Sequence, residues 1–396
     1  MNEESSLGNP FRATAIVLAA AIVFSVAFAW QGELWTFATS TMVLFAATLF
    51  LLCFLMVRHM RPTFKPTLVL LLLLPAWGAI QLLFGRSVYP FQTWLNTVLL
   101  SGAACAYWLA SEAFQFPELY RTFRNFLMVF AGLVSVLAIL QMLTSGGQIY
   151  WMITIPYDAE PLGPFRNRDR YAAFIELLLP LVATEVVQSE EKSLLWAVTA
   201  ALMYGSVVAG GSRAGVIVIT IEILLVTILF TRRSVLPEGR SFKAGATIML
   251  VIVFATALGW GLVMQRFRSD TQLFEGRREF LISSIQMWRT RPLTGFGLGS
   301  WPSVYPRFAV FDPGLLVNHA HNDWAEWACD GGIFFVGIYF LVAWRAARLA
   351  WKSPAALGVT VVFLHSLVDF NFREYSIVLL VSILLALAEA PVPTPD

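Results

Sequence analysis

Long apolar runs separated by short polar breaks fill this chain from end to end. At about 17 to 25 residues per membrane crossing, the runs fall near 13–30, 35–57, 67–84, 92–114, 121–143, 171–188, 194–210, 214–231, 244–264, 333–351, 354–369 and 374–390. Blocks such as 68–84 are continuously Leu-rich, whereas barrel strands alternate over about ten residues, so helices carry the crossings. The predicted fold is all-α: a polytopic membrane protein with about twelve transmembrane helices, forming a single integral membrane domain over 1–396. The first run follows Arg12 and leads to no small-residue cleavage site, so it reads as a retained helix.

The polar breaks set an orientation. With both termini in the cytoplasm, the clusters Arg58/Arg61/Lys65, Arg121/Arg124, Arg232/Arg233/Arg240/Lys243 and Arg345/Arg348/Lys352 all lie inside. Two longer segments then face outward: 145–170, and the larger 265–332 with the candidate active site. The same placement puts all four lysines (Lys65, Lys192, Lys243, Lys352) inside, while the outward segments carry arginine, including Arg166, Arg168, Arg170, Arg213, Arg266, Arg268, Arg277, Arg278 and Arg373. Arginine grips phosphate oxygens in pairs through a planar fork. An anionic, phosphorylated ligand follows; lipid headgroups are the competing use for any single arginine.

Composition narrows the class. The chain is 58% hydrophobic and 13% charged, against about 25% charged in soluble domains. Its three cysteines, Cys53, Cys105 and Cys329, give neither a disulfide framework nor metal spacing. No metal, cofactor or nucleic-acid partner is called for.

The densest local signal is Asn318-His319-Ala320-His321-Asn322-Asp323-Trp324-Ala325-Glu326, which holds two of the four histidines. Asp323 with Glu326 three residues later resembles a capping box, so a helix is expected to begin at Asp323 with His321 directly before it. The positive helix end and nearby arginines disfavour imidazolium and keep the ring in the neutral form a general base needs. His321 is the base candidate. His319 could equally be the working residue, and a histidine there could simply order the loop.

Other motifs supply charge and close approach. Gly210-Gly211-Ser212-Arg213-Ala214-Gly215 separates two runs too closely for a true loop, so the chain turns at the outer surface with Arg213 facing inward, toward a bound diphosphate or a carboxylate such as Asp369. After Gly276-Arg277-Arg278-Glu279, the residues Phe280, Leu281, Ile285 and Trp288 recur at helical spacing, as in an interfacial amphipathic helix that holds Arg277 and Arg278 near the membrane surface. Gly295-Phe296-Gly297-Leu298-Gly299 has no preceding strand and no P-loop lysine, which excludes a nucleotide site.

In this order the motifs resemble the O-antigen ligase and polymerase family of bacterial envelope glycan biosynthesis. Gly163-Pro164-Phe165-Arg166-Asn167-Arg168 is similar to the family's GPFxNxN entry to a helix, and Gly211-Ser212-Arg213-Ala214-Gly215 to its small-Ser-Arg-Gly turn. Arg277 or Arg278, then Trp288, Pro292 and the glycine run, resembles its R…W…P…GxGxG stretch. His321-Asn322, nine residues, then Gly332 follows the ligase HN-x9-G pattern, and His365 to Phe370 resembles a late HxxxD segment with Asp369. The ligase pattern continues with glycine three residues after Gly332, where this chain has Phe335. The resemblance covers roughly 160–385.

It implies a GT-C-like membrane glycosyltransferase in the bacterial inner membrane with a periplasmic active site. The implied reaction is metal-independent transfer of a glycan from an undecaprenyl-diphosphate carrier to a lipid A-core or other saccharide acceptor. The implied roles are Arg213, Arg277 or Arg278, and Arg166 on the diphosphate, and His321 on the acceptor hydroxyl, oriented by Asn322 and Asp323. His319, His365 and Asp369 would support. A chain-extending polymerase and a protein O-oligosaccharyltransferase use the same parts. A small-anion transporter is a rival class, but no repeated half of the carrier kind is found.

Overall fold

A computed structural model describes residues 3–31, 34–155, 160–189, 191–231, 271–310 and 317–391. The expected crossing at 244–264, the cluster Arg232/Arg233/Arg240/Lys243, and Arg266 and Arg268 lie outside the described residues.

The regular elements among the described residues are helices: α1 (Glu3–Ala27), α2 (Leu34–Val57), α3 (Pro66–Leu83), α4 (Pro90–Ala113), α5 (Pro117–Thr144), α6 (Arg168–Gln188), α7 (Ser193–Gly210), α8 (Arg213–Thr231), α9 (Thr271–Thr290), a short α10 (Trp301–Val304), α11 (Asp323–Ala350), α12 (Pro354–His365) and α13 (Tyr375–Ala388). Eight of them are long and apolar enough to cross a membrane. The chain is thus an all-α, polytopic membrane protein. Proline opens α3, α4, α5 and α12 at its first turn, where no backbone donor is lost.

The bundle is arranged around α6, which is buried on every side, while α2 turns Met42, Leu49, Phe50 and Met56 outward. Lipid tails are as apolar as leucine, so helices in a membrane associate through close packing and not through hydrophobic burial. Gly358 illustrates this: a Cβ there would stand 2.5 Å from the Leu177 carbonyl, so α12 lies directly on the α6 backbone.

One end of the bundle is basic. Lys65 at the start of α3 donates to the Glu389 carbonyl at 2.9 Å, and Arg345 near the end of α11 donates to the Glu389 carboxylate at 2.6 Å. Thr63 bonds Glu112 and Gln115, just before α5, and Arg124 pairs with Glu185 at 2.9 Å. The clusters around 58–65, 121–124 and 345–352 therefore share this end, as the charge pattern requires.

Three expected crossings differ from the sequence pattern: α4, expected as the crossing at 92–114, is long but is not among the eight helices apolar enough to cross, and the last two are short. α12 and α13 have 12 and 14 residues, roughly 18 and 21 Å at 1.5 Å per residue, short of a core about 30 Å thick. The apolar run breaks at 366–374, where Asp369 accepts the Phe370 amide, Arg373 pairs with Glu326 and Asp330, and Glu374 pairs with Arg170. Irregular backbone of this kind is tolerated only where protein satisfies it. Here the start of α11 does so: the Asp323 amide donates to the carbonyls of Ser366 and Asp369 at 3.0 and 3.1 Å.

Candidate active site

His319 and His321 stand at the opposite end from the basic clusters, before the start of the helix whose far end carries Arg345 and Arg348. α11 begins at Asp323 with Asn322 as its N-cap, whose side chain accepts from the Ala325 amide at 2.9 Å. The cap is one residue earlier than the expected capping box. Glu326 instead reaches past the cap, accepting the Ala320 amide at 2.7 Å and approaching His319 Nδ1 at 3.3 Å. Arg373, from the break between α12 and α13, donates to Glu326 at 2.6 Å and to Asp330 at 3.0 Å. Asp330 in turn accepts the amides of Gly299 and Trp301 at 2.9 and 2.8 Å. A buried charge is tolerated only when paired and hydrogen-bonded, and this chain of contacts meets that condition.

The glycine run therefore has a structural role. Gly332 interrupts α11 at φ 68°, ψ −169°, and a Cβ there would stand 2.2 Å from the Leu293 carbonyl. Ile333 donates to Pro292, Phe296 to Cys329 and Gly297 to Asp330, all at 2.8–2.9 Å. The two backbones run side by side only because no side chain stands between them.

His321 sits in left-handed backbone, φ 52°, with its ring between Phe280 (6.1 Å, stacked) and Phe370 (4.7 Å, edge-on). Its Nδ1 is buried without a hydrogen-bond partner among the described residues. Burial, then the charge of Arg277, then His319, push its pKa down to about 4, so the ring is neutral at pH 7. The pKa of His319 is also lowered, chiefly by burial, against the opposing pull of Glu326. Its ring stacks on Phe370 at 4.5 Å.

The remaining expected residues separate. Arg277 is partly buried, and its charge reaches His321 and Asp369. Arg278, one position on, is 76% exposed and pairs with Glu279. Arg166 is exposed. Arg213 begins α8 beside Ser212, whose hydroxyl donates to Asp169 at 2.6 Å. Asp169 lies in the first turn of α6, so α6, α8 and α11 all present their positive ends here. Asn322 Nδ2 donates to the Leu367 carbonyl at 2.6 Å, and Asp323 accepts the Phe372 amide at 2.9 Å. Both hold the floor of the site. His365 Nδ1 meets both Glu176 oxygens at 2.9 Å, and its Nε2 lies 4.0 Å from Asp369.

Glu176, Asp169, Asp330 and the clamp role of Glu326 and Arg373 do not stand out in the sequence pattern. A carboxylate inside an apolar run, as at Glu176, is the signal that could have found it. The expected amphipathic helix is α9, with Phe280 and Trp288 packed on a small outer core of Met287, Trp301, Tyr305 and Ala320, and Leu281 and Ile285 exposed. Among the described residues no group of three or more His, Cys, Asp and Glu side chains could hold a metal ion.

The family model described as O-antigen ligase matches residues 198–340. That segment is similar to the O-antigen ligase family. The matched segment covers about a third of the chain and contains Arg213, Arg277, the glycine run, both histidines, Glu326 and Gly332. Asp169, Glu176, Asp369 and Arg373 lie outside the matched segment, on α6 and at the α12–α13 break. No curated protein matches the chain.

Proposed function

We propose that the chain transfers a glycan from an undecaprenyl-diphosphate carrier to a hydroxyl of a lipid A-core acceptor, at the periplasmic face of the bacterial inner membrane. The observation that carries this reading is a neutral, partly buried His321 with an unpaired ring nitrogen beside the cation of Arg277. A neutral imidazole accepts the acceptor's proton as its oxygen bonds to the anomeric carbon. The bond from that carbon to the diphosphate oxygen breaks, and undecaprenyl diphosphate leaves. Arg277, with Arg213 and the helix starts of α6 and α8, offsets the charge that gathers on the leaving oxygens. His319, held by Glu326, supports the loop that aims His321.

His319 as base is the second reading, favoured by its carboxylate contact, because a histidine oriented by a carboxylate is a common base arrangement. Purified protein in detergent, given undecaprenyl-diphosphate glycan and a choice of lipid A-core, free saccharide or Ser/Thr peptide, tests the acceptor. Labelled product on lipid A-core is expected. Product only on the growing glycan would instead mark a polymerase, and only on peptide a protein O-oligosaccharyltransferase.

A further inference from the structure

At the basic end, away from His319 and His321, α3 and α11 part to leave a cleft of about 580 Å³. Its lower wall is apolar, formed by Val69, Leu70, Leu341 and Trp344, and Val69, Leu341 and Trp344 are exposed to the side, where lipid tails would lie. Its rim carries Lys65 and Arg345. Arg348 adds a third cation, stacked 4.9 Å over the Trp344 ring. Glu389 meets part of this charge, yet Arg345 bonds it only through Nε and Lys65 gives it a single bond. The two terminal nitrogens of Arg345 carry no hydrogen bond among the described residues. The start of α3, an 18-residue helix, opens at the same rim, and a helix N-terminus attracts phosphate.

We propose that this cleft seats an acidic phospholipid of the leaflet on the basic side, its phosphate held by Lys65, Arg345 and the start of α3, and its acyl chain lying on Val69, Leu70 and Leu341. Charge selects the occupant: the three cations Lys65, Arg345 and Arg348 outnumber the carboxylates that face them, Glu389 and the nearby Glu112, and the surplus favours a headgroup of net negative charge over one of zero net charge. Tryptophan at the headgroup level and basic pockets between helices are general features of such seats.

The test is native mass spectrometry of delipidated protein given equal amounts of phosphatidylglycerol and phosphatidylcholine. Wild type should retain phosphatidylglycerol preferentially. Arg348→Gln, which leaves the Glu389 contacts intact, should lower that retention about fivefold, the equivalent of one interfacial cation. Val69→Trp, at an exposed position, should fill the cleft and abolish retention while the helical circular dichroism stays unchanged. Equal retention of the two lipids, retention unchanged in both variants, or displacement of phosphatidylglycerol by excess inorganic phosphate would each overturn the assignment; the last would mark a site for free anions.

Discussion

Glu326 accepts the backbone amide of Ala320 at 2.7 Å, and Ala320 is the residue between the two histidines. One carboxylate on the first turn of α11 thereby fixes the loop that carries both rings, and Arg373 fixes the carboxylate.

Glu326→Ala removes a buried partner of Arg373 and frees the histidine loop. Breaking a buried pair from one side costs about 3–5 kcal/mol, so thermal unfolding in detergent should shift clearly downward and transfer should collapse. Glu326→Gln keeps an acceptor for Ala320 and should retain more activity than Glu326→Ala; equal loss in both would assign the effect to charge alone.

The fold class and the start of the helix behind the two histidines were legible in the sequence because both are local signals. Apolar runs of membrane length mark the helices, and the Asn322-Asp323-Trp324 junction marks the start of α11 to within one residue. Gly332 was legible as a motif position, though its reason, close contact with Leu293, is not visible in one segment. What escaped is pairing across distance: Glu176 and His365 are 189 positions apart, and neither local spacing nor hydropathy connects them. The short α12 and α13 escaped because hydropathy counts apolar residues and does not see that Arg373 is drawn to Glu326 and Asp330.

The His321 ring has its pKa lowered to about 4 from 6.5, by burial first and Arg277 next. The folded ring therefore stays neutral through pH 5–6, while an unfolded chain protonates near 6.5, so this group costs stability as pH falls from 6.5 toward 4. The acid limb of kcat/KM should lie well below pH 6.5 in wild type. Arg277→Gln removes a depressing charge and should move that limb to higher pH as well as weaken donor use, whereas Arg278→Gln, exposed, should leave the limb in place. A limb that does not move in Arg277→Gln contradicts the placement of its charge.

Gly332→Ala forces a Cβ against the Leu293 carbonyl in backbone open only to glycine. Such strain costs on the order of 1–3 kcal/mol before the clash is added. Expression and unfolding temperature should fall. At Gly337 of α11 a Cβ would have no neighbour within 4 Å, so Gly337→Ala should be neutral or stabilising by up to about 1 kcal/mol; comparable damage at both sites would contradict this account.

Glu176 and His365 form a fully buried pair in the bundle. Glu176→Ala should destabilise by about 3–5 kcal/mol, and the double change Glu176→Leu/His365→Leu by less than the sum of the single changes, since it removes both buried polar partners. Strict additivity in unfolding measurements would show the two side chains to be uncoupled.

The central claim is that the neutral ring of His321 takes the acceptor's proton. Its most direct test compares His321→Ala with His319→Ala and wild type in single-turnover transfer from undecaprenyl-diphosphate glycan to lipid A-core, at matched folding. The account predicts loss of about 10²–10⁴-fold in rate for His321→Ala, with His319→Ala retaining substantially more. Loss confined to His319→Ala would contradict it and give the base role to the histidine that Glu326 holds.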